Sequence, residues 1–240
     1  DLAYYNRGEQ FPKTIVANID TAIDSVLFPV MSTKQDDEEQ IKLITQKALK
    51  ISTYILMPLM TGLAVCAEFI VRIILTDKWL FCVPFLRVFC FNYAFYSVHT
   101  VNLNAIKAMG RSDLFLKLEF IKKVIGLVML VTTMHFGVMV MAYGLLVTGV
   151  LCQIINAWPN GKLINYKYIE QIKDILPQII LSVLMGIGVY CIHFFDLHNI
   201  MLTLFFQITF GIFFYIGCSM IFKIKSFRYV VTILKSYIPK

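Results

Sequence analysis

The chain has 240 residues, 58% of them hydrophobic and 15% charged, with a mean hydropathy of +0.72. Soluble domains carry about 25% charged residues, so an ordinary water-soluble enzyme is excluded. The formal charge of +7, from 22 Lys and Arg against 15 Asp and Glu, points in so apolar a chain to charge placement across a membrane rather than to nucleic acid.

Apolar runs of about 20 residues, each able to cross a hydrocarbon layer about 30 Å thick, predict an all-α, polytopic transmembrane helix bundle. Seven spans are expected, at 12–32, 51–75, 82–106, 120–136, 137–157, 175–194 and 199–222. The opening residues, from Asp1 through Pro12, read as a connecting segment entered partway, without a cleavable signal peptide. The chain is therefore expected to be part of a longer one.

The first span is poor as a membrane helix. At 100° per residue, Lys13, Thr14, Asn18, Asp20, Thr21, Asp24 and Ser25 share one side, and Ile15, Val16, Ile19, Ile23, Val26 and Val30 the other. The apolar side is expected to meet lipid. Two carboxylates facing hydrocarbon would cost about 2.5–3.5 kcal/mol each, so Asp20 and Asp24 either line a wet cavity or are satisfied by neighbouring helices.

Residues 36–50 begin with Asp36 and Glu39 in capping-box spacing and read as a helix leading into the second span. Glu68 and Arg72, four apart with the acid first, predict an intrahelical pair near one interface. In the third span Arg87 either snorkels or faces the lumen, and Asn92, Tyr96 and His99 share a face, followed by Asn102, Asn104 and Lys107. A lone buried histidine is most simply hydrogen-bonded; a pH-linked role for His99 is the alternative.

His135, Phe136 and Gly137 form the tight turn of a hairpin between the fourth and fifth spans. Residues 165–176 and 227–238, with Ile169, Ile172 and Leu176 and with Phe227, Val230, Val231, Leu234 and Ile238 beside lysines, read as amphipathic interfacial helices. Trp79, Phe81, Phe194 and Phe195 mark one interface and Trp158 the other. Pro29, Pro58, Pro84, Pro177 and the Gly186, Gly188 pair are expected to kink or break helices. The organisation predicted is a five-span core over 1–157, an amphipathic linker over 158–174, a further two-span pair over 175–222 and a basic tail over 223–240.

Alternate connections carry 17 Lys and Arg against 3, with Arg72 and Arg87 inside spans. The positive-inside rule then puts the C-terminal end in the cytoplasm and the beginning of the chain outside. Six cysteines stand singly among apolar neighbours, with no Cys-x-x-Cys or Cys/His spacing, so neither a metal nor a redox cofactor is implied. Nucleophile elbows, zinc-protease motifs and phosphate-binding glycine loops are absent, and no catalytic residues are assigned.

At LAYYNRGEQFP (2–12), SVLFPVMS (25–32), AEFIVRIILTDKW (67–79), CVPFLRVFCF (82–91) and NLNAIKAMGRSDLFLKLEFIKK (102–123) the chain resembles bacterial polysaccharide, O-antigen and teichuronic-acid flippases of the multidrug/oligosaccharidyl-lipid/polysaccharide (MOP) superfamily. The resemblance implies the C-terminal half of a transporter with about 14 helices, seated in the bacterial cytoplasmic membrane. It implies flipping of an undecaprenyl-diphosphate-linked oligosaccharide by alternating access, with no enzyme activity and no cofactor. Partners implied are the lipid-linked substrate, membrane lipids, an N-terminal lobe and polysaccharide polymerase machinery.

Arg7, Asn18, Asp20, Asp24, Arg87, Asn92 and His99 become the substrate-binding residues. The two guanidiniums suit a diphosphate, and the two carboxylates suit sugar hydroxyls or a coupling cation. Relatives commonly have Asn or Ser where this chain has Asp20 and Asp24. Competing readings are a cation-coupled drug exporter of the same superfamily, a membrane polymerase or acyltransferase, and a seven-helix receptor.

Overall fold

The computed structural model describes residues 2–192 and 199–237, all in helices, turns and short connections, with no strand among them. The expectations for Phe194, Phe195 and Ile238 lie outside the described residues. Ten α-helices follow one another: α1 (Leu2–Ser32), α2 (Glu38–Val65), α3 (Ala67–Leu75), α4 (Val83–Ala94), α5 (Tyr96–Ala108), α6 (Ser112–Thr133), α7 (Val138–Leu163), α8 (Tyr168–Ile192), α9 (Ile200–Ile221) and α10 (Lys225–Tyr237). Counting α4 and α5 with the short 3₁₀ turn before them as one, six helices are long and apolar enough to cross a membrane. Of 22 residues, α6 is also long enough, but Asp113, Lys117, Glu119, Lys122 and Lys123 crowd its first half. Large apolar side chains face outward on the peripheral helices, among them Leu127 at 62% and Phe213 at 73% exposed. The protein is multi-pass in a membrane.

Several boundaries differ from the expected ones. The opening segment is not a connection: α1 starts at Leu2 and runs through Pro12. Its apolar side is only partly open to lipid, with Val26 and Val30 exposed at 66% and 47% and the rest of that side packed inward. Val16, Leu27 and Met31 are buried against α2, α4, α5 and the chain around Tyr166, with Ile15, Ile19 and Ile23 packed beside them. The second expected span is interrupted at Cys66 and the third at Phe95. The cap of α2 is Asp37, one residue beyond the expected pair; its carboxylate accepts from the Gln40 amide at 2.9 Å and from Gln40 Nε2 at 2.7 Å. Residues 168–176 are the first turns of α8 rather than a separate interfacial helix.

The glycines and prolines divide by geometry. Pro29, Pro58 and Pro177 lie inside helices, but Pro84 sits in the first turn of α4, where its missing N–H is no loss. Gly186 and Gly188 break nothing. A Cβ on Gly186 would meet Thr61 at 2.7 Å and one on Gly188 would meet Phe210 at 2.8 Å, so both exist to let α2 and α9 approach α8. Gly137, at φ +99°, makes the turn into α7 that the hairpin requires.

In the packed order, α2 meets α8, α4 and α5, α1 lies on α4 and α5, and α7 covers their other side with α6 outside it; α9 flanks α8, and α10 folds back on α2. The first helix is clamped at its start. Tyr4 packs edge-on to Trp79, Tyr5 packs on Phe89 and Phe85, and Arg7 lies 5.3 Å over the Trp79 ring. A Cβ on Gly8 would stand 2.8 Å from the Leu86 backbone nitrogen. The Tyr-Tyr-Asn-Arg-Gly stretch is thus a docking motif for α1 on α4. All six cysteines are free thiols.

Candidate functional site

Pinning of α1 by Gly8 fixes its register along α5, and two carboxylates land on two donors. Thr100 Oγ1 donates to Asp20 Oδ2 at 2.8 Å, and Asn104 Nδ2 donates to Asp24 Oδ1. Positions 20 and 24 face 100 and 104 because the helices run parallel and both repeat a face every four residues. A third rung lies nearer the start of α1, where the Tyr93 hydroxyl donates to Glu9 Oε1 at 2.9 Å. Asp20 Oδ1 and Asn104 Oδ1 are buried with no hydrogen-bond partner, which leaves two acceptors free at the heart of the ladder.

Tyr96 joins this ladder to a second polar group. Its ring is 5.8 Å from that of Tyr93 and 5.6 Å from that of His99, and it lies within electrostatic reach of Asp20, Asp24 and Glu119. Asn156 Nδ2 is 2.8 Å from His99 Nδ1, so with the amide donating, the ring carries its proton on Nε2. The ring also interacts with the Gly149 backbone. Asn92 packs on the same glycine: a Cβ at Gly149 would clash with Asn92 Oδ1. On α6, Lys122 Nζ contacts Glu119 Oε1 at 2.5 Å, and the pair lies close enough to influence His99 and Cys152.

The result is a polar groove between α1, α5, α6 and α7. Its centre holds the carboxylates of Asp20, Asp24 and Glu119 and the single ammonium of Lys122. Beside it α1 shows an open stripe. Thr14, Asn18, Thr21 and Ser25 are exposed and return their donors to backbone carbonyls three or four residues earlier. Such back-bonding lets a polar face stand without a neighbouring helix. Lys107, over the rings of Phe28 and Phe115 at 5.8 Å each, marks the groove's basic end.

Of the expected binding residues, four come together: Asp20, Asp24, Asn92 and His99. Asn18 is on the open stripe, two residues and so about 160° around α1 from Asp20. Arg7 is at the far end of the helix, bonded to Gln10 Oε1 at 2.7 Å and stacked on Trp79. Arg87 stands apart. It donates to the Ala64 carbonyl at 3.3 Å and opens on a separate cavity of about 250 Å³ between α2, α4 and α8.

Thr100, Glu119, Lys122 and Asn156 were not among the expected residues. Repetition of polar positions at 20/24 and 100/104, and the Glu119, Lys122 pair three residues apart where the charged first half of α6 gives way to its apolar half, were the signals for them. A neighbouring cluster is purely architectural. Asn102 and Gln171 exchange amide hydrogen bonds at 2.8 and 2.9 Å, Asn160 Nδ2 donates to Asn102 Oδ1 at 2.6 Å, and all three are fully buried. Among the described residues no group of three or more His, Cys, Asp or Glu is placed to hold a metal ion.

Residues 1–84 match the model of the family described as "Polysaccharide biosynthesis protein". Over 142 residues the chain is 32% identical to a protein of Klebsiella pneumoniae named "Uncharacterized membrane protein in cps region", covering 59% of this chain and 28% of that one. Over 134 residues it is 29% identical to the lipopolysaccharide biosynthesis protein WzxC of Escherichia coli strain K12, covering 56% and 27%. Its matched stretch therefore spans little more than a quarter of either relative. A solved structure of the lipid II flippase MurJ, in an inward closed conformation, superposes with a TM-score of 0.75 at 18% identity, over 92% of this chain and 46% of that one. The superposition gives the fold, and over the matched residues the sequence is similar to a membrane protein of a cps region and to a lipopolysaccharide biosynthesis protein.

Proposed function

We propose that this chain forms one wall of the passage in a transporter that flips an undecaprenyl-diphosphate-linked oligosaccharide across the bacterial cytoplasmic membrane by alternating access. The observation that carries the reading is the in-register polar ladder of Asp20 with Thr100 and Asp24 with Asn104, beside an open polar stripe on α1. A helix so polar on its unpacked side needs either water or a second polar wall, and a facing lobe supplies both. Sugar hydroxyls donate and accept, and suit the free oxygens of Asp20 and Asn104 together with Asn92 and His99. Arg7, at the end of the open stripe, is the guanidinium for the diphosphate; Arg87 would serve only a substrate reaching the cavity on the other side of α4.

The Lys and Arg census supports a cytoplasmic C-terminal end and an outward beginning. On this reading the further partners are an N-terminal lobe and the polymerase machinery that receives the flipped unit, and the protein catalyses no covalent step. The test replaces Asp20 and Asp24 by Asn in the complete protein and measures surface polysaccharide together with folded protein in the membrane. Loss of polymer at normal protein level is expected, and full export would refute the role of the ladder.

A second reading has one observation of its own. Three carboxylates to one lysine make the groove acidic, as a cation-coupled drug exporter would need. Dye resistance conferred by expression, lost in Asp20→Asn, would favour it.

A further inference from the structure

A second cavity, of about 570 Å³, opens between α8, the end of α9 and the start of α10, away from the polar groove. One end is basic. Lys50 is bonded to Asp174 at 2.9 Å, and Asp174 also accepts from the Tyr166 hydroxyl at 2.9 Å, so that carboxylate is fully engaged. Lys173, exposed at the same end, has no ion pair or hydrogen bond among the described residues. From it runs an apolar wall on one face of α8, Leu176, Ile180 and Leu184, each between 44% and 51% exposed, with Phe222, just past the end of α9, alongside.

From Lys173 to Leu184 the wall rises roughly 16 Å at 1.5 Å per residue, the depth of one leaflet of a hydrocarbon layer about 30 Å thick. A volume of this size lies within the range of about 300–1,000 Å³ that holds small ligands. Cation at one end and leaflet-deep apolar wall behind it describe a phosphate headgroup with one acyl chain. The chain of a polyprenyl carrier is several times longer than the groove, so the fit is to an ordinary membrane lipid.

We infer that the α8–α9–α10 junction is a binding site for a resident anionic phospholipid, its phosphate on Lys173 and one acyl chain along Leu176, Ile180 and Leu184. The site rests on the multi-pass membrane fold alone and is independent of what the protein transports. A bound lipid would brace α10 against the bundle, where Ser226 is already buried and hydrogen-bonded to Gln178.

Native mass spectrometry of the complete protein, delipidated and then titrated with phosphatidylglycerol or phosphatidylcholine, tests this. One cation near the surface gives an anionic preference of about fivefold. Lys173→Gln should abolish that preference, Ile180→Trp should weaken both lipids, and Lys117→Gln, an exposed lysine on α6, should change neither. Because Ile180→Trp could unfold the junction, the phosphatidylglycerol-dependent rise in Tm is read for Lys173→Gln as well; it should shrink to that of phosphatidylcholine. An unchanged preference in Lys173→Gln, an equal loss in Lys117→Gln, or a retained adduct with the mass of a polyprenyl diphosphate that disappears in the same variants would overturn the proposal.

Discussion

The register of the candidate site depends on a single missing side chain, which makes Gly8 the sharpest place to probe the fold. Its hypothetical Cβ stands 2.8 Å from Leu86 N, 2.8 Å from Phe85 Cβ and 3.0 Å from the Cys82 carbonyl oxygen. Two of the three obstacles are backbone, and no rotamer change relieves them, so α1 must retreat by several tenths of an ångström. Overpacking of this kind costs about 1–3 kcal/mol, offset by the gain of about 1 kcal/mol in helix propensity when Gly becomes Ala. Gly8→Ala should therefore destabilise by about 1 kcal/mol net, equivalent to about 2–4 °C in Tm.

Gly126, on α6, meets nothing within 4 Å, so Gly126→Ala should move Tm the other way by a similar amount. Thermal unfolding of both variants in one detergent, with wild type alongside, makes the comparison. Gly8→Ala equal to or more stable than wild type would refute the close approach of α1 to α4, and with it the register that pairs Asp20 with Thr100.

Other perturbations reach different parts of the molecule. Asn160→Leu should cost about 1–3 kcal/mol, because Asn102 Oδ1 then loses a buried donor; a Tm shift below 1 °C would contradict the cluster's structural role. Thr100→Val removes the donor to Asp20 at nearly constant volume, and should lower export several-fold while leaving membrane-inserted protein unchanged. Gly149→Ala should displace Asn92 from α7 and lower export. Asn92→Ala should lower export as well, whereas no effect of either change would remove Asn92 from the site.

Long-period apolarity made the helices legible from sequence, and the same averaging hid what breaks them. The interruptions at Cys66 and Phe95 fall in runs whose composition does not change, so length and hydropathy pass straight over them. Polar periodicity revealed the Asp20, Asp24 face but not its neighbour, since Thr100 and Asn104 become partners only once α1 is laid parallel to α5. Lys122 falls at the very start of the expected 120–136 span, among lysines of the kind that mark a connection, although its helix starts ten residues earlier, at Ser112. Arg87 shows the opposite limit: one helix carries it on one face and Asn92 on another, and which face meets the groove is decided by α7 and α2, far away in sequence.

The central claim is that the ladder on α1 and α5 handles a substrate in transit. Lipid-linked oligosaccharide should be quantified in each leaflet of the cytoplasmic membrane, in cells whose complete gene is deleted and then restored as wild type or with both Asp20→Asn and Asp24→Asn. Deletion and the double variant should both trap the oligosaccharide in the inner leaflet, with wild type releasing it. A normal leaflet distribution in the double variant, at wild-type protein level, would contradict the account.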